Sequence, residues 1–338
     1  MSEERVVENV NRGLGDLLEA HPRLVLLGED VEDPYGGAFR ATRGLSDRFP
    51  GRVRNTPISE SAIVGLATGL ALAGREAVVE IMFADFAWLA FDMLANMAAK
   101  TPTMYGSPRA VPVIVRTASG AGRGYGATHS QSPLKHFVGV PGLDVFEMTP
   151  FHDAGALFES MLTLGRPCLM FEDKTLYTRR VTRSGRVGSV FTLAPVGPAP
   201  GIARLRIDGV TTPDAVVVCT GGTVERVLEA ARTLLLEYEF CCDVLVPAHL
   251  YPLDLETVAE AAAGASRIFV VEEGTAGGSW AADVAYELTS RLWGSLRGPV
   301  EAICSAAKVI PAAPHLEREV VLQSQDIAAR ISAAESLS

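Results

Sequence analysis

The stretch Thr56-Pro57-Ile58-Ser59-Glu60 places one carboxylate directly before a run of Gly, Ala, Thr and aliphatic residues that extends to Gly74. Ser59 is suited to cap a helix at its N-terminus, and Gly74 is suited to end one. Glu60 would then lie in the first helical turn, where the helix dipole favours a negative charge. Because a helix without a polar face belongs in an interior, we expect a buried carboxylate at the entrance of a core helix. A simple capping role and a functional role for Glu60 both stay open on this pattern alone.

The composition describes a well-buried globular chain of 338 residues, a length typical of two domains. Hydrophobic residues make up 48% of the chain and charged residues 21%, a balance that excludes a disordered protein. The net charge of −10 argues against nucleic-acid binding. No apolar run approaches the roughly 20 residues that cross a membrane. The five cysteines lack metal-type spacing, and buried, reduced thiols predict a cytoplasmic protein.

Strand-like and helix-like segments alternate along both halves of the chain, which predicts an α/β fold with two doubly wound domains. We expect the domains at residues 1–185 and 206–338, joined by a connector at 186–205 that carries at most short strands. A helix is also expected at about 86–99. The predicted strands are 24–28, 77–82, 111–116, 167–172, 215–219, 242–246, 267–272 and 300–304.

A glycine-rich loop at Ser119–Gly126 leads to His129-Ser130-Gln131-Ser132. The loop lacks the strand, turn and helix in immediate succession that a dinucleotide site requires, and there is no Walker motif. A mobile surface loop and a ligand-covering loop are both compatible with it. His129, flanked by Ser and Gln, is a candidate acid/base or substrate-binding residue. The hydrolase elbow Gly-x-Ser-x-Gly is absent, which disfavours a serine hydrolase.

Together these motifs resemble those of the β subunit of thiamine diphosphate-dependent 2-oxoacid dehydrogenases, the decarboxylating component of the pyruvate and branched-chain complexes and a transketolase-like family. The resemblance covers nearly the whole chain, and it implies a pyrimidine-binding first domain and a transketolase C-terminal-like second domain. The matching motifs are Gly28-Glu29-Asp30-Val31, Tyr35-Gly36-Gly37-Ala38-Phe39, Asn55–Glu60, Glu80-Ile81, Phe83–Phe86, His129-Ser130-Gln131, Pro141-Gly142-Leu143, Glu172–Tyr177, Tyr251–Asp254 and Val271–Gly274.

The resemblance implies catalytic roles for Glu60 and His129. The glutamate matching Glu60 hydrogen-bonds the aminopyrimidine ring of the cofactor and promotes the tautomer that activates it. The histidine matching His129 handles the acyl intermediate and its lipoyl acceptor. The residues expected at the cofactor are Glu60, Ile58, Met82 and Phe86, with Phe86 packing on the pyrimidine.

Two further acids, Glu29 and Asp92, match residues of an acidic tunnel that joins the two active sites in the family. One expected motif is missing: there is no Gly-Asp-Gly sequence to hold the magnesium ion that binds the cofactor's diphosphate. The resemblance therefore implies that this chain holds no metal and is active only with an α subunit, as an α2β2 heterotetramer. The acyl acceptor would be a lipoyl domain. An acyl carrier protein that takes a two-carbon unit is the alternative, and a non-catalytic scaffold subunit is less favoured.

Three segments depart from the family pattern. Met82 stands where branched-chain members carry Gln, which removes a polar group. Leu164-Gly165-Arg166-Pro167 replaces an acidic segment that helps to bind a structural potassium ion, and Arg166 is expected to take the place of that charge. Val246-Pro247-Ala248-His249 replaces a common Asp-Leu-Arg-Thr. These changes leave Glu60 and His129 untouched but bear on substrate and acceptor.

Overall fold

The computed structural model describes residues 4–106 and 109–336. The chain divides into two compact units. The first comprises residues 1–119 and 137–181, and the second comprises residues 120–136 and 182–338. The loop that carries His129 is therefore part of the second unit, although it lies between two strands of the first in sequence.

The elements of the first unit are α1 (Val6–Ala20), β1 (Leu24–Gly28), α2 (Leu45–Arg48), β2 (Val53–Asn55), α3 (Glu60–Leu72), β3 (Glu76–Ile81), α4 (Thr101–Met104), β4 (Val113–Ser119), β5 (Asp144–Glu147), α5 (Ala154–Thr163) and β6 (Cys168–Asp173). Its strands form a parallel sheet in the order β2-β1-β3-β4-β6-β5. The central strands β1, β4 and β6 are buried along their whole length, as expected for a parallel sheet covered on both faces.

The elements of the second unit are β7 (Gly185–Val187), β8 (Phe191–Val196), β9 (Ile202–Ile207), β10 (Ala215–Cys219), α6 (Val224–Tyr238), β11 (Cys242–Pro247), β12 (His249–Tyr251), α7 (Leu255–Ala261), β13 (Arg267–Thr275), α8 (Trp280–Leu292), β14 (Glu301–Ser305), α9 (Pro314–Val320) and α10 (Ser324–Ser336). This unit contains a mixed sheet in the order β14-β13-β10-β11-β9-β8-β7. Strands β14, β13, β10 and β11 are parallel, and β9, β8 and β7 continue the sheet antiparallel. The predicted α/β class with two sheet-based halves is confirmed.

Residues 186–205, expected to be a connector, instead belong to the sheet of the second unit. Strands β8 and β9 pair antiparallel from Phe191 opposite Ile207 to Val196 opposite Ile202. The Pro- and Gly-rich residues 197–201 between them form the turn of this hairpin. The strands β7 and β8 are short, at three and six residues, as expected. Their place in the sheet was not apparent from the sequence because proline and glycine mark turns as readily as linkers, and only the pairing partner distinguishes the two.

The segment after β3 also differs from the regular helix expected at 86–99. A 3₁₀ helix runs over Ala84–Ala90 and a π-helix over Met93–Ala98. The apolar pattern did not reveal this, because periods of 3.0, 3.6 and 4.4 residues are hard to separate over fourteen residues.

Helix α3 begins at Glu60 and ends at Leu72, two residues before Gly74, in agreement with the predicted stop. Ser59 holds the N-cap position with an extended backbone, but its side chain makes no capping hydrogen bond. One face of the helix is buried in the first unit, whereas Leu66 on the opposite face is 52% exposed. The expectation of a wholly interior helix is therefore wrong for the single chain: a helix that is apolar all round contacts its own unit on one side only.

Candidate active site

The Glu60 carboxylate lies at the N-terminus of α3 and is only 6% exposed. The preceding residues leave β2 beside the end of β1, where the Thr56 N–H donates to the Gly28 carbonyl at 2.9 Å. This bond fixes the entry of the chain into α3. The sheet thus delivers one carboxylate to a helix N-terminus, where the dipole partly offsets the cost of burying its charge.

Glu29 follows β1 directly and is buried, with 7% of its surface exposed. Its Oε1 atom has no hydrogen-bond partner within residues 4–106 and 109–336. The pKa of Glu29 is raised above its ordinary value by burial, and further by the negative charges of Glu60, Asp30 and Glu80. The two buried carboxylates of Glu29 and Glu60 therefore lie close enough to repel each other, and Glu29 holds its proton to higher pH than a free side chain.

Aromatic rings gather where β3 ends. The ring of Phe83 lies 5.6 Å from that of Phe39 and 6.1 Å from that of Phe86, both edge to face. Phe86 and Met82 are half-buried, so part of each side chain is accessible. Ile58 is 83% exposed. The cluster offers partly open aromatic surface in the same unit as the two carboxylates.

Asp92 has a different environment from Glu29. It is exposed, and its Oδ1 accepts a hydrogen bond from Asn96 Nδ2 at 2.7 Å. Within the chain, only Glu29 of the two proposed tunnel acids is buried. Their shared role stays a prediction.

A buried network of charged residues on the strands of the first sheet was not predicted from the sequence. Arg116 on β4 is 2% exposed and forms two hydrogen bonds to Glu172, at 2.7 and 2.6 Å, and a further bond to Glu80. Tyr177 donates to Glu172 at 2.8 Å. Glu80 and Arg116 are direct partners in the parallel register of β3 and β4. The available signal was the presence of charged residues inside otherwise apolar strands.

This network also shapes the glycine loop of the first unit. Gly37 has a φ of +79°, and a Cβ added there would lie 2.6 Å from Glu80 Oε1. A side chain at this position would collide with the buried carboxylate, in addition to the strain of the left-handed backbone. The Tyr35–Phe39 motif therefore needs glycine at its centre because it rests on Glu80.

His129 lies in the second unit, in the loop 120–136, and is half-buried. Its Nδ1 atom is 3.0 Å from Thr128 Oγ1. The end of the loop is held by hydrogen bonds: Lys135 Nζ donates to the Thr275 and Gly277 carbonyls, each at 3.0 Å. Within the glycine-rich part, the N–H groups of Ala121 and Gly122 donate to Glu273 Oε1 and Glu317 Oε1. These bonds disfavour the mobile one of the two loop interpretations that the sequence left open.

In the segment around Arg166, the positive charge of the guanidinium is paired with a buried carboxylate. Asp144 is 1% exposed and is held by both Nε and Nη2 of Arg166. The guanidinium carries the positive charge and directs two donors at the two carboxylate oxygens. The expectation that Arg166 takes the place of the ion's charge agrees with this geometry.

We predict that replacing potassium by sodium or choline leaves the melting temperature within about 1 °C, because the Arg166 guanidinium already supplies the positive charge beside Asp144. Melting curves of the purified protein over a potassium titration provide the measurement. Arg166→Gln, which leaves Asp144 without its cation, should lower the melting temperature. A rise of the wild-type melting temperature with potassium concentration would contradict this prediction.

The adjacent acids Glu272 and Glu273 of β13 have different partners, on α8 and α6 respectively. Glu272 accepts a hydrogen bond from the Ala281 N–H, at the start of α8, at 2.9 Å. Burial raises the pKa of Glu272 to about 7, although the bond from Ala281 lowers it in part. The folded protein therefore holds a proton here that the unfolded chain releases near pH 4.5.

Because the folded pKa is raised, the associated stability is fully present below pH 4.5 and is lost as the pH rises through about 7. We predict that Glu272→Gln stabilises the protein by up to about 3 kcal/mol at pH 8 and has little effect at pH 4.5. Denaturant unfolding between these two pH values measures the change. Glu287→Gln, an exposed carboxylate of α8, serves as the control, and a pH-independent effect of Glu272→Gln would argue against a proton held here.

Within residues 4–106 and 109–336, no group of three or more His, Cys, Asp or Glu side chains is arranged to hold a metal ion. In the same ranges, no helix combines the length and the apolar character needed to span a membrane.

Comparison with known proteins gives the same family for both units. Residues 5–180 match the transketolase pyrimidine-binding domain, and residues 205–327 match the transketolase C-terminal domain. The chain is 32% identical to the β subunit of acetoin:2,6-dichlorophenolindophenol oxidoreductase from Cupriavidus necator, over 95% of this chain and 94% of that protein. It is 34% identical to the β subunit of 3-methyl-2-oxobutanoate dehydrogenase from Mycobacterium tuberculosis, over 88% and 83%.

A solved structure described as a split-gene transketolase, inactive beta4 tetramer, superposes with a TM-score of 0.73 at 21% identity, over 98% of both chains. This likeness supports the fold alone. The domain matches and the relatives together lead to one conclusion: the chain belongs to the transketolase-like family of β subunits of thiamine diphosphate-dependent 2-oxoacid dehydrogenases.

Proposed function

We propose that this chain binds the aminopyrimidine end of thiamine diphosphate and, with an α subunit, decarboxylates a 2-oxoacid and transfers the acyl group to a lipoyl domain. The observation that carries the proposal is the buried Glu60 carboxylate at the N-terminus of α3, close to the buried carboxyl of Glu29. The names of the relatives as β subunits support an α partner. The cofactor's diphosphate and its magnesium ion would be held mainly by that partner.

The residues of the first unit fit the pyrimidine end of the cofactor. Glu29 has a buried oxygen without a hydrogen-bond partner in the described chain, as expected of a group that waits for a polar ligand. Phe86 offers a half-buried ring edge-to-face with Phe83, suited to pack on a flat heteroaromatic ring. Glu60, Phe86, Met82 and Ile58 would line the cofactor.

When bound, thiamine diphosphate supplies the carbon nucleophile and the electron sink for decarboxylation. Glu60 would hold a hydrogen bond to a ring nitrogen of the pyrimidine, and its burial strengthens that bond. Glu29, whose pKa is raised by burial and by Glu60, would keep a proton close to Glu60. His129 would act on the acyl group and its acceptor as an acid or base.

Exposed apolar surface in the first unit supports a partner. Leu66 and Leu89 are 52% and 62% exposed, and Ile58 is exposed further, at 83%. Three large apolar side chains this exposed on one unit are compatible with a surface that another protein covers. We propose that an α subunit covers part of it, in an α2β2 assembly.

Acetoin is a second candidate for the substrate, because one relative with 32% identity is named as an acetoin oxidoreductase subunit. For the acceptor, an acyl carrier protein is the alternative to a lipoyl domain. The replacement of a polar residue by Met82 bears on the substrate, and His249 lies in the segment that departs from the family pattern. A scaffold role without catalysis would leave the buried Glu29 and Glu60 pair unexplained.

A panel of substrates and acceptors tests the proposal. The α–β pair would be assayed with pyruvate, branched-chain 2-oxoacids and acetoin, each with a lipoylated domain and with a phosphopantetheinylated carrier protein. We expect turnover of a 2-oxoacid with the lipoyl domain. Turnover only with acetoin or only with the carrier protein would replace the corresponding part of the proposal, and no turnover with any pairing would overturn it.

A further inference from the structure

The loop that carries His129 is built on glycines and closed at its base. Gly120, Gly122, Gly124 and Gly126 all have positive φ angles, between 68° and 88°. The Gly120 N–H donates to the Gln131 carbonyl at 3.1 Å, so the two ends of the loop meet. Glycine-rich backbone loses much conformational freedom when it is ordered, and a fixed loop of this kind therefore needs strong anchors.

Glu273 of β13 provides one anchor for both ends of the loop. Its Oε1 atom accepts a hydrogen bond from the Ala121 N–H and another from Ser132 Oγ, each at 2.8 Å. Glu273 is 6% exposed, so these bonds form out of contact with bulk water. One buried oxygen thus joins two residues that flank His129 on either side.

Arg226 at the start of α6 keeps this anchor charged. It donates through Nη2 to Glu273 Oε2, and to the Leu322 carbonyl through Nη1 at 2.7 Å. Burial acts to raise the pKa of Glu273, but the charge and hydrogen bonds of Arg226, with the loop bonds, lower it below its ordinary value. An ionised acceptor forms stronger hydrogen bonds than a neutral one, which suits a residue that holds a loop.

The base of the loop has two further supports. The Gly122 N–H donates to Glu317 Oε1 at 3.0 Å, and Ala121 packs against Ile310, Val320 and Val321. Neither support reaches Ser132 at the other end. Glu273 differs from them in joining the segments before and after His129.

We propose that Glu273 is a positioning residue for acyl transfer: it closes the loop 121–132 at both ends and so sets the place of His129. The inference rests on the proposed function of His129 but concerns a residue that does not touch substrate. Loss of Glu273 should increase the mobility of the loop and slow acyl transfer. The preceding decarboxylation on the cofactor should keep its rate.

The test compares variants in the α–β assembly. Glu273→Ala removes the anchor, Ser132→Ala removes one loop bond while keeping the Glu273–Arg226 pair, and Glu273→Gln restores a neutral acceptor. Asp243→Asn is the matched control, because Asp243 is a buried carboxylate of the same sheet that pairs with Arg204 at 2.6 Å. Hydrogen exchange of amides 121–132 is measured, together with kcat and KM for the acyl acceptor and turnover with a small dye oxidant.

For Glu273→Ala we expect exchange in the loop to accelerate about tenfold or more, from the loss of charged hydrogen bonds. The kcat for acyl transfer should fall about tenfold to a hundredfold through misplacement of His129, with dye-linked turnover within about twofold of wild type. Ser132→Ala and Glu273→Gln should give smaller effects in the same direction, and Asp243→Asn should leave loop exchange unchanged.

Unchanged loop exchange in Ser132→Ala and Glu273→Gln would overturn the anchor, and it can be read even if Glu273→Ala fails to fold. Faster exchange with unchanged acyl transfer would overturn the positioning role. If the wild-type pair turns over with the dye but transfers no acyl group to any acceptor, the proposed function of His129 fails separately, and the positioning role fails with it.

Discussion

Glu60→Gln is expected to lower turnover of the α–β pair by about 10²-fold to 10⁴-fold, the range that a positioned acid or base contributes. The amide has nearly the shape of the carboxylate but could not exchange a proton with a ring nitrogen of the cofactor. Because Glu60 is 6% exposed, water cannot readily replace it. The loss should therefore appear in kcat, measured under saturating cofactor with the substrate and acceptor that the wild-type pair uses.

Assembly and stability separate this effect from a fold defect. A neutral amide costs less to bury than a charge, so the Glu60→Gln chain should melt at the same temperature as wild type or higher. Glu19→Gln, at an exposed carboxylate of α1 that pairs with Arg48, is the control and should leave both turnover and assembly unchanged. Retention of more than a tenth of wild-type turnover in Glu60→Gln would exclude the assigned role.

Arg116→Met is expected to destabilise the protein by about 3–5 kcal/mol, the cost of leaving a buried charge without its partner. Methionine approximates the volume of the side chain but leaves Glu80 and Glu172 facing each other without a cation. Arg116 is 2% exposed, and it bonds both carboxylates at once. Denaturant unfolding of the two proteins at neutral pH measures the difference.

The pH dependence of the lost stability in Arg116→Met provides a second test of the charge effect. Burial already raises the pKa of Glu80, and removal of Arg116, whose charge lowers it, should raise it further. A raised folded pKa means stability that is present at low pH and lost as the pH rises, so the deficit of the variant should shrink toward pH 4.5.

Arg291→Met at the exposed pair with Glu287 is the control, expected to change stability by less than about 1 kcal/mol. An Arg116→Met deficit that stays constant with pH would show that the loss comes from packing and not from charge.

Much of the fold was predictable because its signals are local. The strand Ala215–Cys219 has the predicted bounds, and α3 begins at Glu60 as the capping pattern indicated. Apolar runs and helix-ending glycines are properties of short stretches of sequence. The family motifs occur in the same order along the chain and lie in these stretches. The candidate role of Glu60 came from the same stretch, once the motifs around it were considered together.

Two of the errors come from dependence on distant partners. The segment 186–205 contains a strand and the turn of a hairpin because β8 pairs antiparallel with β9. The composition of the segment did not indicate that pairing. The face of α3 that stays exposed depends on what surrounds the helix. Local pattern does not contain either fact.

The sequence by itself determined the α/β class, the alternation of strands and helices in both halves, and the presence of one carboxylate at the start of an apolar helix. Tertiary structure alone decided that Glu80 and Glu172 share Arg116, across 36 and 56 residues, and that Glu273 holds the His129 loop across 152 residues. The physical reason is range: helix caps and hydrophobic periods act within a few residues, whereas a buried charge is stabilised by whichever partner the folded chain brings to it.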